Sequence, residues 1–297
     1  MHGPCDRLNW GDRMAVHMTA PDVTVRTVRS ADSTTIGYRS VGSGPGLLLV
    51  PGAFALAADF DALAGELADR FTVHVVERRG RGASGPQGDA YGAGAECADI
   101  EAVRAATGAR FVFGHSFGGF LTLEAALAGS AFERIAVYEP GVSIDGSIPV
   151  DWADRCRGQL DAGKPAEAFL TFVRGVNPET SGKAPRWLLR LILPLALKKP
   201  ERLQKHALLP AAIREHAEIA ARDNTFREYG RLTQPVLLMA GKEVRSTGAG
   251  RAAPRIHEIL PGSELKLFPK LDHFGPETAP AAIAAAVADF LLAAPAA

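Results

Sequence analysis

Gly114-His115-Ser116-Phe117-Gly118 sets a serine between two glycines at the point where an apolar run, Arg110-Phe111-Val112-Phe113, gives way to a small-residue stretch from Gly119 to Leu127. This is the spacing of a nucleophile elbow. A serine that turns sharply out of a strand into a helix needs neighbours two positions away that lack clashing side chains, and Gly114 and Gly118 meet that need. The turn lifts the hydroxyl above a sheet, and the helix N-terminus aims backbone N–H groups at any negative charge that develops beside it. The N–H of Phe117 is one such donor. The chemistry expected is attack by the Ser116 hydroxyl on a carbonyl carbon.

A chain with 31 glycines also produces Gly-x-Ser-x-Gly by chance. What distinguishes Ser116 is its context, with a strand pattern before it and a helix pattern after it, as the elbow requires. The elements around it follow the same alternation. Short apolar runs at Gly46 to Val50, Thr72 to Val76, Arg110 to Phe113, Ile135 to Tyr138, Val236 to Ala240 and Leu265 to Phe268 read as strands buried on both faces. Helical patterns lie between them, at Phe60 to Arg70, Ala95 to Thr107, Phe120 to Ala128, Arg251 to Leu260 and Thr278 to Leu292. Val23 to Val28 and Thr34 to Ser40 alternate apolar with polar residues, as in a half-exposed antiparallel hairpin at a sheet edge. The fold class expected is α/β, a mostly parallel, doubly wound sheet. Residues 141 to 228 interrupt it with helix-like segments and no strand, and read as a helical cap inserted in a core formed by 23 to 140 and 229 to 297. Residues 1 to 22 read as a flexible tail, with Met14 or Met18 as candidate start positions.

Composition narrows the function. The chain has 297 residues, 47% hydrophobic and 22% charged, enough for one large core. Lys plus Arg and Asp plus Glu both number 33, so no net charge draws it to nucleic acid or to an anionic membrane. A small-molecule partner is expected instead. Cys5, Cys97 and Cys156 have no ligand-like spacing and read as reduced thiols, and the histidines form no metal-binding pattern, so neither a metal nor a cofactor is expected. The first twenty residues lack the apolar core of a signal peptide, and Trp187 to Leu197 is too short to span a bilayer. A cytoplasmic protein without membrane insertion is the expectation.

The chain resembles the α/β-hydrolase family from Val23 onward, through four blocks in order. Asp32 to Tyr38 through Gly44-Pro45 is similar to the opening hairpin, and Val50-Pro51-Gly52-Ala53-Phe54 to the oxyanion loop. Glu77-Arg78-Arg79-Gly80-Arg81-Gly82-Ala83-Ser84 resembles the Asp-x-Arg-Gly-x-Gly-x-Ser turn. The elbow comes next, and Leu271-Asp272-His273-Phe274 resembles the late histidine loop. The resemblance implies Ser116 as nucleophile, His273 as general base, and the N–H groups of Ala53 and Phe117 as the oxyanion hole. Where the family's loop begins His-Gly this chain has Pro51-Gly52, a departure that leaves the backbone donor in place.

The acid has two candidates. The family's usual aspartate position after the seventh strand holds Val244, with Glu243 one residue early. Some members carry a glutamate just past the sixth strand, and Tyr138-Glu139-Pro140 resembles that arrangement. On that resemblance Glu139 is favoured, and the physics agrees, since a carboxylate ending an apolar strand beside the elbow is costly unless it is paired, and His273 can pair with it. His115 reads as the variable elbow residue, His74 as a hydrogen-bonded core histidine, and Arg78, Arg79 and Arg81 as mostly structural.

Trp152, Phe169, Phe172, Trp187, Leu188, Leu191, Ile192 and Leu195 give the cap apolar surface either to roof a pocket or to pack onto the body. Ser116 in place of an aspartate argues against the family's dehalogenases and epoxide hydrolases. The expected activity is hydrolysis of a carboxylic ester or lactone of a small, largely apolar substrate through an acyl-serine. A C–C bond hydrolase or thioesterase would use the same residues, and a lyase, perhydrolase or ligand receptor of this fold remains open.

Overall fold

The computed structural model describes residues 23–178, 181–242 and 247–294. Cys5, Met14, Met18, Glu243 and Val244 lie outside them. The elements run β1 Thr24–Arg29, β2 Thr35–Gly42, β3 Gly46–Val50, α1 Asp61–Leu67, β4 Thr72–Glu77, α2 Ala93–Thr107, β5 Phe111–His115, α3 Phe117–Leu127 and β6 Arg134–Tyr138. Then come α4 Ala153–Asp161, α5 Pro165–Val176, α6 Arg186–Ala196, α7 Lys199–Ala221, β7 Val236–Ala240, α8 Gly248–His257, β8 Ser263–Leu267, α9 Gly275–Thr278 and α10 Pro280–Leu291.

The strands form one eight-stranded sheet in the order β1-β2-β4-β3-β5-β6-β7-β8. β2 is antiparallel to both its neighbours, and every pair from β4 onward is parallel. Successive side chains point to opposite faces of each strand. Leu48, Val50, Val112, Ile135 and Val137 therefore meet α2, α3 and α8, while Leu47, Leu49, Phe111, Phe113 and Ala136 meet α1 and α10. Burial on both faces explains why these strands read as continuous apolar runs.

Two expectations are corrected by local physics. The helical pattern from Thr278 to Leu292 is α10 but begins at Pro280, and a separate short helix, α9, ends at Thr278; Ala279 between them has φ −138° and ψ 54°, which are not helical. Pro280 follows it, and the proline ring disfavours helical backbone in the preceding residue. Among the apolar residues of 141 to 228, Trp152, Phe169 and Phe172 are buried in one cluster with Leu209 and Ile213. Trp187, Leu191, Ile192 and Leu195 are not; they are 62%, 60%, 44% and 86% exposed on the outer side of α6. Among the described residues, no helix is long and apolar enough to cross a membrane.

Candidate active site

Ser116 sits between β5 and α3 with φ 55° and ψ −120°, a strained conformation of the sort that persists where surrounding packing enforces it. The glycines on either side show what does the enforcing. A Cβ on Gly114 would lie 2.4 Å from Thr122 Oγ1, and one on Gly118 would lie 2.0 Å from the carbonyl oxygen of Val50. The elbow is thus pressed directly onto the end of β3 and the loop that follows it. Gly52 makes the reverse approach, since a Cβ there would stand 3.1 Å from that of Ser116.

The Ser116 hydroxyl donates to His273 Nε2 at 3.0 Å, and His273 Nδ1–H donates to Glu139 Oε2 at 2.7 Å. The structure brings these three residues together across 157 positions of sequence. Glu139 follows β6 with a φ of 42° and is fully buried. Its other oxygen, Oε1, accepts the Gly241 N–H at 2.8 Å, so both carboxylate oxygens are satisfied away from water. A buried carboxylate held by one N–H and one imidazole fixes which His273 nitrogen carries the proton and leaves Nε2 as an acceptor toward Ser116.

His115 is more than a variable elbow residue. Its Nε2–H donates to the His273 carbonyl at 2.8 Å, and the two rings lie 4.9 Å apart. Burial, with His273 adding to it, pushes its pKa down to about 3, so the ring is neutral at ordinary pH. The sequence signal was its place at the buried end of β5. His74 is the hydrogen-bonded core histidine expected, 2.8 Å from Ser40 Oγ, with a pKa lowered to about 4 by burial and by Arg26.

Among the described residues, no protein acceptor takes the N–H of Ala53 or of Phe117. Phe54, next in the loop after β3, packs edge-on against Phe172 with centroids 4.7 Å apart, which joins that loop to α5. His216, on α7, lies edge-on to Phe172 at 5.1 Å and to Trp152 at 5.8 Å, with Nδ1–H donating to the Ala212 carbonyl. Lys205, eleven residues before His216 and about three turns nearer the N-terminus of α7, donates to the Phe54 carbonyl at 3.3 Å. Burial raises the pKa of Glu277 on α9 to about 7, against the lowering pull of Lys205. Among the described residues, no group of three His, Cys, Asp or Glu side chains could hold a metal ion.

Arg79, at the arginine position of the turn after β4, is bound by Asp99 at 2.6 and 2.8 Å and by Asp32 at 2.6 Å, and ties the hairpin to α2. Arg78 and Arg81, at the variable positions, reach the carbonyls of Gly52 and Ala53 in the loop after β3 instead.

Residues 47–286 match the model of the alpha/beta hydrolase family. The chain belongs to that family. An alpha/beta hydrolase from Sphaerobacter thermophilus has 31% sequence identity and a TM-score of 0.75, with 89% of this chain and 99% of that one covered. Similarity by sequence extends to the 2-(acetamidomethylene)succinate hydrolase of Mesorhizobium japonicum, 24% identical over 86% of this chain and 91% of that protein. The N-formylmaleamate deformylase of Pseudomonas putida is 38% identical over a shorter stretch, 34% of this α/β hydrolase and 40% of the deformylase.

Proposed function

We propose that this α/β hydrolase cleaves a carboxylic ester or lactone of a small substrate through an acyl-serine intermediate. The observation that carries the reading is the chain of contacts Ser116–His273–Glu139, with Oγ to Nε2 at 3.0 Å and Nδ1 to Oε2 at 2.7 Å. As Ser116 Oγ bonds to the carbonyl carbon, its proton passes to His273 Nε2, and the imidazolium so formed is stabilised by the Glu139 carboxylate. The carbonyl oxygen becomes an oxyanion that the N–H groups of Ala53 and Phe117 stabilise. His273 then protonates the leaving oxygen as its bond to carbon breaks. Water, deprotonated by the same nitrogen, releases the acid and restores Ser116. The packing of Phe54 against the buried cluster of Phe172 and Trp152 supports apolar surroundings for the acyl or ring group.

A second reading has its own support. Half-buried Lys205 makes its hydrogen bond to the Phe54 carbonyl, and among the described residues no carboxylate lies within ion-pair distance of it. A cation so placed suits a substrate carboxylate, and two relatives are named for N-acylated acids, an acetamidomethylene succinate and a formylmaleamate. The same triad would then cleave an amide-type bond of a small carboxylic acid, with His273 protonating nitrogen instead of oxygen.

The test is initial rates on p-nitrophenyl acetate, a γ-lactone and a small N-acetylated carboxylic acid, for wild type and Ser116→Ala. Loss of turnover on the order of a thousandfold or more in Ser116→Ala is expected for whichever substrate is used. Turnover unchanged in Ser116→Ala would remove Ser116 as nucleophile.

A further inference from the structure

Arg78 and Arg81 occupy variable positions of the turn after β4, and both are spent on the oxyanion loop. Arg78 Nη1 donates to the Gly52 carbonyl at 3.0 Å, and its guanidinium lies 4.5 Å over the ring of Phe117. Arg81 Nη2 donates to the Ala53 carbonyl. A peptide unit is planar and trans, with its C=O and N–H pointing in opposite directions. Holding the Gly52 carbonyl toward Arg78 therefore turns the Ala53 N–H away from it, and Arg81 fixes the next unit in the same manner.

Two guanidinium groups packed this closely repel each other in a buried site unless carboxylates stand between them. Arg78 has Glu96 of α2, at 2.8 and 2.7 Å. The Oε1 atom of Glu215, from α7, lies 2.8 Å from Nη2 of both Arg78 and Arg81. Among the described residues, Arg81 has no other carboxylate within ion-pair distance. Glu215 is fully buried, and Gln87 Nε2 also reaches its Oε1 at 3.4 Å.

Building on the acyl-serine reading, in which the Ala53 and Phe117 N–H groups hold the oxyanion, we propose that Glu215 is a positioning residue for the oxyanion hole. Its carboxylate lets Arg78 and Arg81 sit side by side beneath Gly52 and Ala53, and so keeps the Ala53 N–H aimed at the reacting carbonyl. The oxyanion loop is thereby set by one carboxylate carried on α7, through its contacts to the two arginines.

The experiment compares wild type, Glu215→Gln and Glu218→Gln in p-nitrophenyl acetate hydrolysis, inhibition by phenylboronic acid, and Tm. Glu218 accepts the Ala93 N–H at 2.9 Å, so it ties the same helix to α2 without touching either arginine. Glu215→Gln is expected to lower kcat and kcat/KM together, on the order of tenfold to a hundredfold, since a misaimed oxyanion donor is lost mainly in the transition state. Boronate affinity falls by a matching factor, because its tetrahedral serine adduct presents a charged oxygen to the same N–H groups. Glu218→Gln lowers Tm and leaves both catalytic readouts unchanged. If Glu215→Gln loses Tm while kcat and boronate affinity stay at wild-type values, the network is only structural and the proposal is overturned. Should Glu215→Gln not fold, Arg81→Lys keeps the charge but gives up the Nη2 group that bridges Glu215 and the Ala53 carbonyl, and it carries the same expectation and the same overturning result. Wild-type protein that neither turns over the ester nor binds the boronate would instead remove the acyl-serine reading, and this proposal with it.

Discussion

The imidazole of His115 lies 4.9 Å from that of His273 and donates its Nε2–H to the His273 carbonyl, so the residue before Ser116 buttresses the loop that carries His273. His115→Phe keeps a ring in the same place and removes the donor. It is expected to lower kcat by about tenfold, the scale on which small misplacements of a reacting group act. The measurement is kcat per active site titrated with a fluorophosphonate, and a wild-type value would show that the contact does not position His273.

Glycines give a paired prediction on stability. Gly118→Ala would force a Cβ to 2.0 Å from the Val50 carbonyl, so the elbow or the end of β3 must move, at a cost of about 3 kcal/mol or more. Gly158, inside α4, has nothing within 4 Å of the same atom, and Gly158→Ala is expected to stabilise by about 0.5–1 kcal/mol. Urea denaturation reads both. Equal midpoints for the two variants would contradict the packing described at the elbow.

Acid should weaken the fold from below about pH 6.5. His115 and His74 have folded pKa values lowered to about 3 and about 4 from 6.5, so between those values the unfolded chain binds more protons and stability falls as pH falls. One fully buried histidine contributes a slope of about 1.4 kcal/mol per pH unit. Glu277, raised from 4.5 to about 7, acts in the opposite sense: its contribution is present below about 4.5 and is lost as pH rises through 7. Two histidines outweigh one carboxylate. Urea midpoints at pH 6.5 and 5 should therefore drop in wild type and drop less in His115→Gln, whereas a midpoint that rises on acidification would be inconsistent with neutral buried histidines.

Lys205 separates the two substrate readings. Lys205→Met should raise KM about tenfold or more for a small N-acylated carboxylic acid, the loss expected for one charge-assisted hydrogen bond. It should leave KM for p-nitrophenyl acetate within about twofold, since that ester carries no carboxylate. Equal effects on both substrates would show that Lys205 does not read a carboxylate.

Much of this was legible in sequence because the requirements are local. The strands announce themselves as apolar runs, such as Gly46 to Val50 and Val236 to Ala240, because both faces are buried. Gly114, Ser116 and Gly118 declare the elbow because only glycine tolerates contacts as close as those to Thr122 and Val50. Glu139 was pointed to by the resemblance of Tyr138-Glu139-Pro140 to members with a glutamate past the sixth strand, and the cost of ending a buried strand in a carboxylate agrees with its pairing to His273. The oxyanion-loop network could not be read from the sequence. Glu215 and Arg81 are 134 residues apart, and no spacing or period links α7 to a turn after β4. The exposed face of α6 was hidden for a related reason, since Trp187, Leu191 and Leu195 at helical spacing look the same whether a partner element covers them or not.

The most direct test of the Ser116–His273–Glu139 relay is intact-mass spectrometry after exposure to a fluorophosphonate, with peptide mapping, on wild type and Glu139→Gln. Rapid addition of one probe at Ser116 in wild type, slowed by on the order of a hundredfold or more in Glu139→Gln, is the expected result. No labelling of wild type at Ser116, or labelling at the same rate in both proteins, would contradict it.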